Sequence, residues 1–141
     1  MKPIIAFKKL NIDALVPMRG TPEAAGFDLF AFVAKNLFIP PGEVYRVPTG
    51  IAVAIPKGWV GLVKPRSSVF YTGGDSDGTI DSDYRGEIFM QIRNLTRGNL
   101  RIVHGERYAQ MVVVPYCGDS IEVEELSDTA RGKGGFGSSG K

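Results

Sequence analysis

Short apolar runs separated by proline and glycine turns are the feature that most constrains the fold of this chain. Pro40-Pro41-Gly42 and Pro56-Lys57-Gly58 both suit tight turns, because proline fixes φ and glycine adopts positive φ. No long window has helical periodicity, although a short helix near Glu23 or after Ser68 is compatible with the sequence. The pattern predicts one all-β domain, a sandwich or a barrel. The predicted strands are 37–39, 44–47, 51–55, 59–63, 88–92, 100–103, 108–114 and 121–123.

Composition excludes several classes of function. The formal net charge of the 141 residues is +2, which is too small to indicate a nucleic-acid partner. No run approaches the ~18 apolar residues of a membrane span, and the N-terminus lacks the apolar run of a signal peptide. Cys117 is the only cysteine, which excludes an internal disulfide, and one cysteine with one histidine, His104, argues against a zinc site because they are too few soft ligands. We therefore expect a cytoplasmic protein that binds neither membranes nor nucleic acid.

The segment from Gly78 to Ile88 (GTIDSDYRGEI) concentrates the most reactive side chains. If it is extended, Asp81 and Asp83 share one face because alternate residues of a strand point the same way. Two neighbouring carboxylates favour either a catalytic or cation-facing pair or, alternatively, a solvated acidic turn.

Three further polar motifs border predicted strands. Arg66, Ser67 and Ser68 follow strand 59–63, where a guanidinium and two hydroxyls form either a phosphate-binding end or a polar turn. Gln110 lies among apolar neighbours and needs a hydrogen-bond partner, from backbone or ligand, if it is buried. Asp28 lies in a similar apolar setting and is either a turn-binding acid or a residue that faces a cation.

The tail after Thr129 and Ala130 is rich in glycine and basic residues (RGKGGFGSSGK). It matches G-x-G-x-x-G and most of a Walker A pattern, but both motifs need a following helix, so Rossmann and P-loop folds are rejected. The tail is either a disordered end or an arm that orders over an anion, since glycines expose backbone N–H groups and Arg131 is a bidentate donor.

Taken together, the five segments resemble the motifs of the homotrimeric dUTPases, in the same order. They are Ala25-Gly26-Phe27-Asp28-Leu29, Pro65-Arg66-Ser67-Ser68, Gly78 to Glu87, Gly105-Glu106-Arg107 with Ala109-Gln110, and Arg131 to Gly140. The resemblance implies an all-β, distorted jelly-roll-like barrel over residues 1–128 and a flexible C-terminal arm over 129–141. It also implies magnesium-assisted hydrolysis of dUTP to dUMP and pyrophosphate, in a homotrimer whose active sites are shared between subunits.

The resemblance further implies roles for individual residues. Asp81 matches the carboxylate that activates water for attack on the α-phosphorus, while Asp28 would contact Mg²⁺ only through water. Tyr84 would pack against the deoxyribose and Phe136 would stack on uracil. Asp83 is predicted to be structural, as a partner of Arg85 or of a neighbouring subunit. The remaining implied substrate-binding residues are Arg66, Ser67, Ser68 and Gln110 for the phosphates, Gly78, Thr79 and Ile80 for the base edge, and Arg131, Gly137, Ser138 and Ser139 in the arm.

Three positions depart from the family pattern. The link 69–77 is short, the asparagine usual in the base-reading hairpin is either replaced by Asp75 or absent, and Tyr108 replaces a smaller aliphatic residue. Three rival functions stay open: a dCTP deaminase-related enzyme, a regulator that binds another protein through the same fold, and a general phosphate-binding module. Asp81 favours hydrolysis over deamination, because the deaminases generally place a catalytic glutamate at that position.

Overall fold

The computed structural model describes residues 2–71, 73–137 and 140. Within these residues the chain forms ten β-strands and one helix of five residues. In chain order the elements are β1 (Ala6–Lys9), β2 (Gly26–Phe30), β3 (Leu37–Ile39), β4 (Val44–Ala54), β5 (Trp59–Pro65), α1 (Ser67–Tyr71), β6 (Gly74–Ser76), β7 (Gly78–Ile80), β8 (Glu87–Asn94), β9 (Leu100–Ile102) and β10 (Arg107–Pro115). In that part of the chain no helix is long or apolar enough to cross a membrane.

Two four-stranded antiparallel sheets share one hydrophobic core. The first has the order β1-β4-β8-β6 and the second the order β2-β10-β5-β7, while β3 and β9 form a separate pair. Strand β8 shows why these segments fold as they do: Ile88, Met90 and Ile92 are buried, and the residues between them face outward. Burial of each such side chain contributes roughly 1.5–3 kcal/mol. The core therefore fixes which residues of each strand remain available for a site.

A bulge joins the two predicted strands 44–47 and 51–55 into the single long strand β4. The pairing of β4 with β8 shifts register between Pro48 and Ala52, and Gly50 there has a φ of +67°. The Thr49 hydroxyl donates to the carbonyl oxygen of Ile88 at 2.6 Å, and Gly50 N donates to Glu87 Oε1 at 2.7 Å. Glycine is favoured at that φ because other side chains clash there. These bonds fix Glu87 at the start of β8, beside the reactive segment.

Most of the predicted strands are confirmed, and α1 supplies the short helix expected after Ser68, although it begins at Ser67. One predicted strand is wrong, and one condition stated for the reactive segment is not met. Segment 121–123 forms no strand, because no other segment of the described chain pairs with it, and Ile121 is 85% exposed. The segment after Ile80 is not extended either. Tyr84 N donates to Asp81 O at 3.1 Å, which closes a turn, so Asp81 and Asp83 do not lie on one face of a strand.

The Tyr108 hydroxyl on β10 bonds the loop that follows β9. It accepts a hydrogen bond from Val103 N at 2.9 Å and donates one to Glu106 Oε2 at 2.9 Å. Burial raises the pKa of Tyr108 from 10.0 to about 12. Because the unfolded tyrosine then ionises first, we expect the free energy of unfolding to be unaffected by this group below pH 10 and to fall as the pH rises from 10 to about 12.

Urea unfolding of wild type and Tyr108→Phe across that range measures the effect. The variant loses the hydroxyl bonds, so it should be about 1 kcal/mol less stable near neutrality and should show a shallower alkaline decline. Identical alkaline slopes for the two proteins would contradict the assignment.

Candidate active site

The second sheet aligns three polar side chains in one row. Gln110 is the cross-strand partner of Asp28 on β2 and of Lys64 on β5, so all three point to the same face. Arg66 follows directly after the end of β5. The structure therefore brings together polar residues from three of the sequence motifs. It does so because β10 lies between β2 and β5, an arrangement that the order of the motifs along the chain does not reveal.

Asp28 is the electrostatic centre of this group. It is only 6% exposed, and its Oδ1 contacts Arg66 Nε at 3.2 Å while its Oδ2 accepts from Arg107 Nη1 at 3.0 Å. A buried carboxylate is costly unless it is paired, and here two guanidinium groups pair with it. Of the two interpretations from the sequence, the cation-facing one is correct, and the cations are arginines. The sequence did not indicate Arg107 as a partner.

Gln110 and Gly26 fit each other across β10 and β2. A Cβ atom at Gly26 would lie 2.4 Å from Gln110 Oε1, so this glycine makes room for the amide. The Nε2 atom of Gln110 donates to the carbonyl oxygen of Pro65 at 3.4 Å. The predicted partner of Gln110 is therefore backbone, and the bond directs the amide toward the residues that precede Arg66.

A cleft of about 510 Å³, which we call the arginine cleft, opens beside this group. Arg66 precedes α1, and its carbonyl oxygen accepts a hydrogen bond from Phe70 N at 2.9 Å, which closes the first turn of the helix. Ser67 and Ser68 begin that helix and are exposed to solvent. The guanidinium and hydroxyl donors that line the cleft suit an anion. It is lined by Arg66, Ser68, Val69, Gly105, Glu106, Arg107 and Tyr108.

A second cavity of about 200 Å³, the hairpin cavity, lies at β7 and the turn that follows it. The Tyr84 hydroxyl donates to Glu87 O at 2.7 Å, and its ring lies so close to Gly86 that a Cβ there would be 2.5 Å from the hydroxyl. The Tyr84 side chain is therefore fixed over the turn. The cavity is lined by Gly78, Thr79, Ile80, Asp81, Tyr84 and Glu87 together with Arg46, Phe89 and Gln91.

An ion pair joins the hairpin to β5. Lys64 Nζ contacts Asp77 Oδ1 at 3.0 Å, and both side chains are largely exposed. The hydrogen bond from Lys64, with a second from the backbone N–H of Gly78, lowers the pKa of the Asp77 carboxyl below its usual 3.8. Exposed pairs contribute little to stability, but this one aligns the start of β7 with its neighbour. Lys64 thus contacts the hairpin.

Asp81 borders both the hairpin cavity and a third opening of about 570 Å³, which Lys57, Arg85 and Tyr116 also line. Its side chain is exposed to solvent. The pairing proposed for Asp83 with Arg85 is not formed within the chain: Arg85 Nη1 donates instead to the carbonyl oxygens of Ser82 at 2.6 Å and Tyr84 at 3.1 Å. Asp81 therefore borders both spaces, whereas Asp83 lines only the larger opening.

The C-terminal arm carries the last group of predicted residues. Arg131 Nε donates to Gly134 O at 2.7 Å, and the Phe136 side chain is fully exposed with a φ of +52°. Such a φ is uncommon for a residue other than glycine. Neither residue contacts the arginine cleft or the hairpin cavity in the described chain, and Ser138 and Ser139 lie outside the described residues.

Comparison with known proteins identifies the family. The dUTPase family model matches residues 13–140. The chain belongs to the dUTPase family. A deoxyuridine 5'-triphosphate nucleotidohydrolase of Nautilia profundicola is 46% identical over 97% of this chain and 99% of the relative. A dUTPase of Staphylococcus bacteriophage 80alpha, solved with dUpNHpp, has a TM-score of 0.89 at 32% identity, covering 98% of this chain and 99% of the other.

Another solved relative is a mutant dUTPase from phage phi11 of S. aureus, described as revealing the coordination of a structural Mg(II) ion. It has a TM-score of 0.79 at 27% identity and covers 87% of this chain and 98% of its own. These matches confirm three expectations from the sequence: membership of the dUTPase family, an enzyme of that class, and an all-β, jelly-roll-like fold.

Three residues of the hairpin cavity lie outside the dUTPase motifs and were not predicted from the sequence. Arg46, Phe89 and Gln91 come from β4 and β8 of the first sheet, and the Arg46 guanidinium lies 4.3 Å from the centre of the Phe89 ring. The alternation of β8 was the available signal, because it places Phe89 and Gln91 on the outer face of that strand. No sequence pattern indicated that this face borders the hairpin.

Proposed function

We propose that this protein hydrolyses dUTP to dUMP and pyrophosphate, with Asp81 activating the attacking water. The observation that carries the proposal is the position of the Asp81 carboxylate, exposed at the edge of the hairpin cavity and of the adjoining opening. A carboxylate there can accept a proton from water as that water attacks the α-phosphorus. General-base catalysis of this kind contributes a factor of about 10²–10⁴.

The nucleoside and the phosphates would occupy different sets of residues. Backbone groups of Gly78 to Ile80 would bond the uracil edge, and Tyr84 would pack against the deoxyribose and exclude a 2'-hydroxyl. On the phosphates, Arg66 and the Gln110 amide would act with the hydroxyls of Ser67 and Ser68. The Arg66 guanidinium, held beside Asp28, supports this assignment, since guanidinium groups bind phosphate oxygens.

We propose magnesium as the cofactor, carried by the nucleotide. No three His, Cys, Asp or Glu residues are grouped to hold a metal in residues 2–71, 73–137 and 140. An ion chelated by triphosphate oxygens and water needs no such group of residues, and this is the usual mode of binding for Mg²⁺ at substrate phosphates. Each Asp28 oxygen bonds one arginine and retains a lone pair, so Asp28 can accept a hydrogen bond from a metal-bound water. The ion would offset charge on the departing pyrophosphate.

We further propose a homotrimer with shared sites, in which the arm 129–141 closes over a neighbour. The apolar side chains of Ile121, Val123 and Leu126 are 50–87% exposed in a segment that pairs with no strand of the described chain. Such exposure favours burial against another subunit. The arm would order on binding, with Arg131, Ser138 and Ser139 on the phosphates and Phe136 on the base. The mass of the protein in solution tests the trimer.

Incubation with dUTP, dCTP, dTTP and UTP tests the activity. Pyrophosphate should be released from dUTP in strong preference to the other three, because a site that bonds the uracil edge leaves polar groups unpaired with cytosine. Ammonia release from dCTP, with no pyrophosphate from dUTP, would instead identify a deaminase.

Gly86→Ala should weaken discrimination between dUTP and UTP. The added Cβ would lie 2.5 Å from the Tyr84 hydroxyl, so the ring must move from the position in which it excludes a 2'-hydroxyl. We expect the ratio of kcat/KM for dUTP over UTP to fall by about tenfold or more, the equivalent of ~1.4 kcal/mol. Gly98→Ala is the matched control, because a Cβ there meets no atom within 4 Å. An unchanged ratio in Gly86→Ala would argue against Tyr84 as the sugar-excluding residue.

A further inference from the structure

Arg107 has no role in the proposed reaction, yet it is bound to the centre of the phosphate-binding group. We propose that Arg107 is a positioning residue: through Asp28 it holds the Arg66 guanidinium in the orientation that binds the substrate's phosphates. This inference rests on the proposed function for the identity of the ligand, whereas the contacts among the three side chains are features of the fold.

The Asp28 carboxylate links the two arginines through separate oxygens. Oδ1 contacts Arg66 Nε at 3.2 Å, and Oδ2 accepts from Arg107 Nη1 at 3.0 Å. The Asp28 side chain is 9% exposed, against 27% for Arg66 and 42% for Arg107. Removal of Arg107 would leave the buried carboxylate with one partner and allow it to turn toward water.

The contact at Nε fixes how Arg66 presents its remaining donors. A guanidinium is a rigid planar fork, so a bond at Nε sets the plane in which its terminal nitrogens lie. The Arg66 Nη1 atom also lies 3.5 Å from the carbonyl oxygen of Arg107, at the limit of a hydrogen bond. Arg107 therefore constrains Arg66 twice, by its side chain through Asp28 and by its own backbone.

A β-bulge is what directs the Arg107 side chain to Asp28. In a regular strand Arg107 and Gln110 would face opposite sides, since their separation is odd. The register with β2 shifts between Arg107 and Ala109, so that Arg107 pairs with Phe30 while Gln110 pairs with Asp28. Phe30 and Asp28 are alternate residues of β2 and share a face, so Arg107 reaches the Asp28 side of the sheet. Bulges that redirect a side chain are common beside active sites.

Two arginines and two acids set the charges of the cluster and of the cleft beside it. Two guanidinium groups face the Asp28 carboxylate, and Glu106, the acid that also lines the arginine cleft, accepts a hydrogen bond from the Tyr108 hydroxyl at 2.9 Å. Lys64, the other cation of the row, is bound to Asp77 at 3.0 Å, so it does not compensate Asp28. Arg107 therefore shares the negative charge of Asp28 with Arg66, so Arg66 is not the only counter-charge of that carboxylate.

The test compares Arg107→Gln, Arg107→Lys, Arg66→Ala and the double variant Arg66→Ala/Arg107→Gln, with Arg97→Ala as the exposed-arginine control. We expect Arg107→Gln to raise KM for dUTP about tenfold with little change in kcat, the scale of one lost charge-assisted hydrogen bond. Arg107→Lys should recover part of that loss, and Arg97→Ala should match wild type. Because Arg107 acts through Arg66, the double variant should be no weaker than Arg66→Ala alone.

Binding of inorganic triphosphate, measured by calorimetry, separates this inference from the proposed function. If the wild type fails to release pyrophosphate from dUTP, the proposed function is overturned but the inference about Arg107 is not. The affinities of the same variants for triphosphate then decide whether Arg107 is a positioning residue. Additive losses in the double variant, or a wild-type KM and triphosphate affinity in Arg107→Gln, would overturn the inference. If Arg107→Gln unfolds at the assay temperature, the Arg107→Lys variant decides, and full wild-type affinity there also overturns it.

Discussion

Replacing Asp81 with asparagine is expected to leave nucleotide binding intact and to reduce dUTP turnover by about 10²–10⁴-fold, the range of a general-base contribution. The amide has nearly the same shape as the carboxylate and is exposed at the edge of the hairpin cavity, so packing around it should not change. It cannot accept the proton of the attacking water. Single-turnover hydrolysis of dUTP, measured beside the affinity for a non-hydrolysable analogue, separates the two effects.

Asp83→Asn provides the matched control, with the same change of charge two residues away in the same turn. The Asp83 side chain is exposed and shares the larger opening with Asp81 but does not line the hairpin cavity, so its variant should turn over dUTP at close to the wild-type rate. Equal losses in both variants would point to the charge of the turn as a whole. Wild-type turnover in Asp81→Asn would remove Asp81 from the role of base.

Local patterns in the sequence were sufficient for most of the fold. The alternation of Ile88, Met90 and Ile92 predicts a half-buried strand, because a period of two is a property of each strand alone. Segment 121–123 has an equally good pattern but no strand partner among the described residues, and unpaired backbone does not form a sheet. The sequence pattern indicates strand propensity but does not reveal whether the same chain supplies the partner.

The parts of the candidate site that depend on strand order and register could not be predicted from the sequence. Gln110, Asp28 and Arg66 were each identified from local polarity, but their meeting depends on β10 lying between β2 and β5. Arg107 was missed as a partner because a regular strand would direct it away from Asp28, and only the bulge reverses that. Arg46 was missed because it belongs to the other sheet. Strand order and bulges arise from long-range packing, which single-sequence periodicity does not encode.

Phe136→Ala should lower kcat/KM for dUTP by roughly 5–150-fold, which corresponds to the ~1–3 kcal/mol of one base–aromatic stack. The Phe136 side chain is fully exposed in the described chain, so its removal costs the folded subunit no packing. The loss should appear in steady-state kinetics with an unchanged melting temperature. Phe136→Trp keeps a stacking surface and should retain most of the activity. Phe38→Ala, a half-exposed phenylalanine on β3, should behave as wild type.

Phe136→Gly distinguishes the ring from the backbone. Phe136 has a φ of +52°, a conformation that glycine adopts without strain and alanine does not. If the residue served only to shape the arm, glycine would preserve or raise activity while alanine lowered it. If the ring stacks on the base, both variants lose activity to a similar extent, since neither has an aromatic face. Similar losses for alanine and glycine, with recovery in tryptophan, would establish the stacking role, whereas an active glycine variant would assign Phe136 to the geometry of the closing arm.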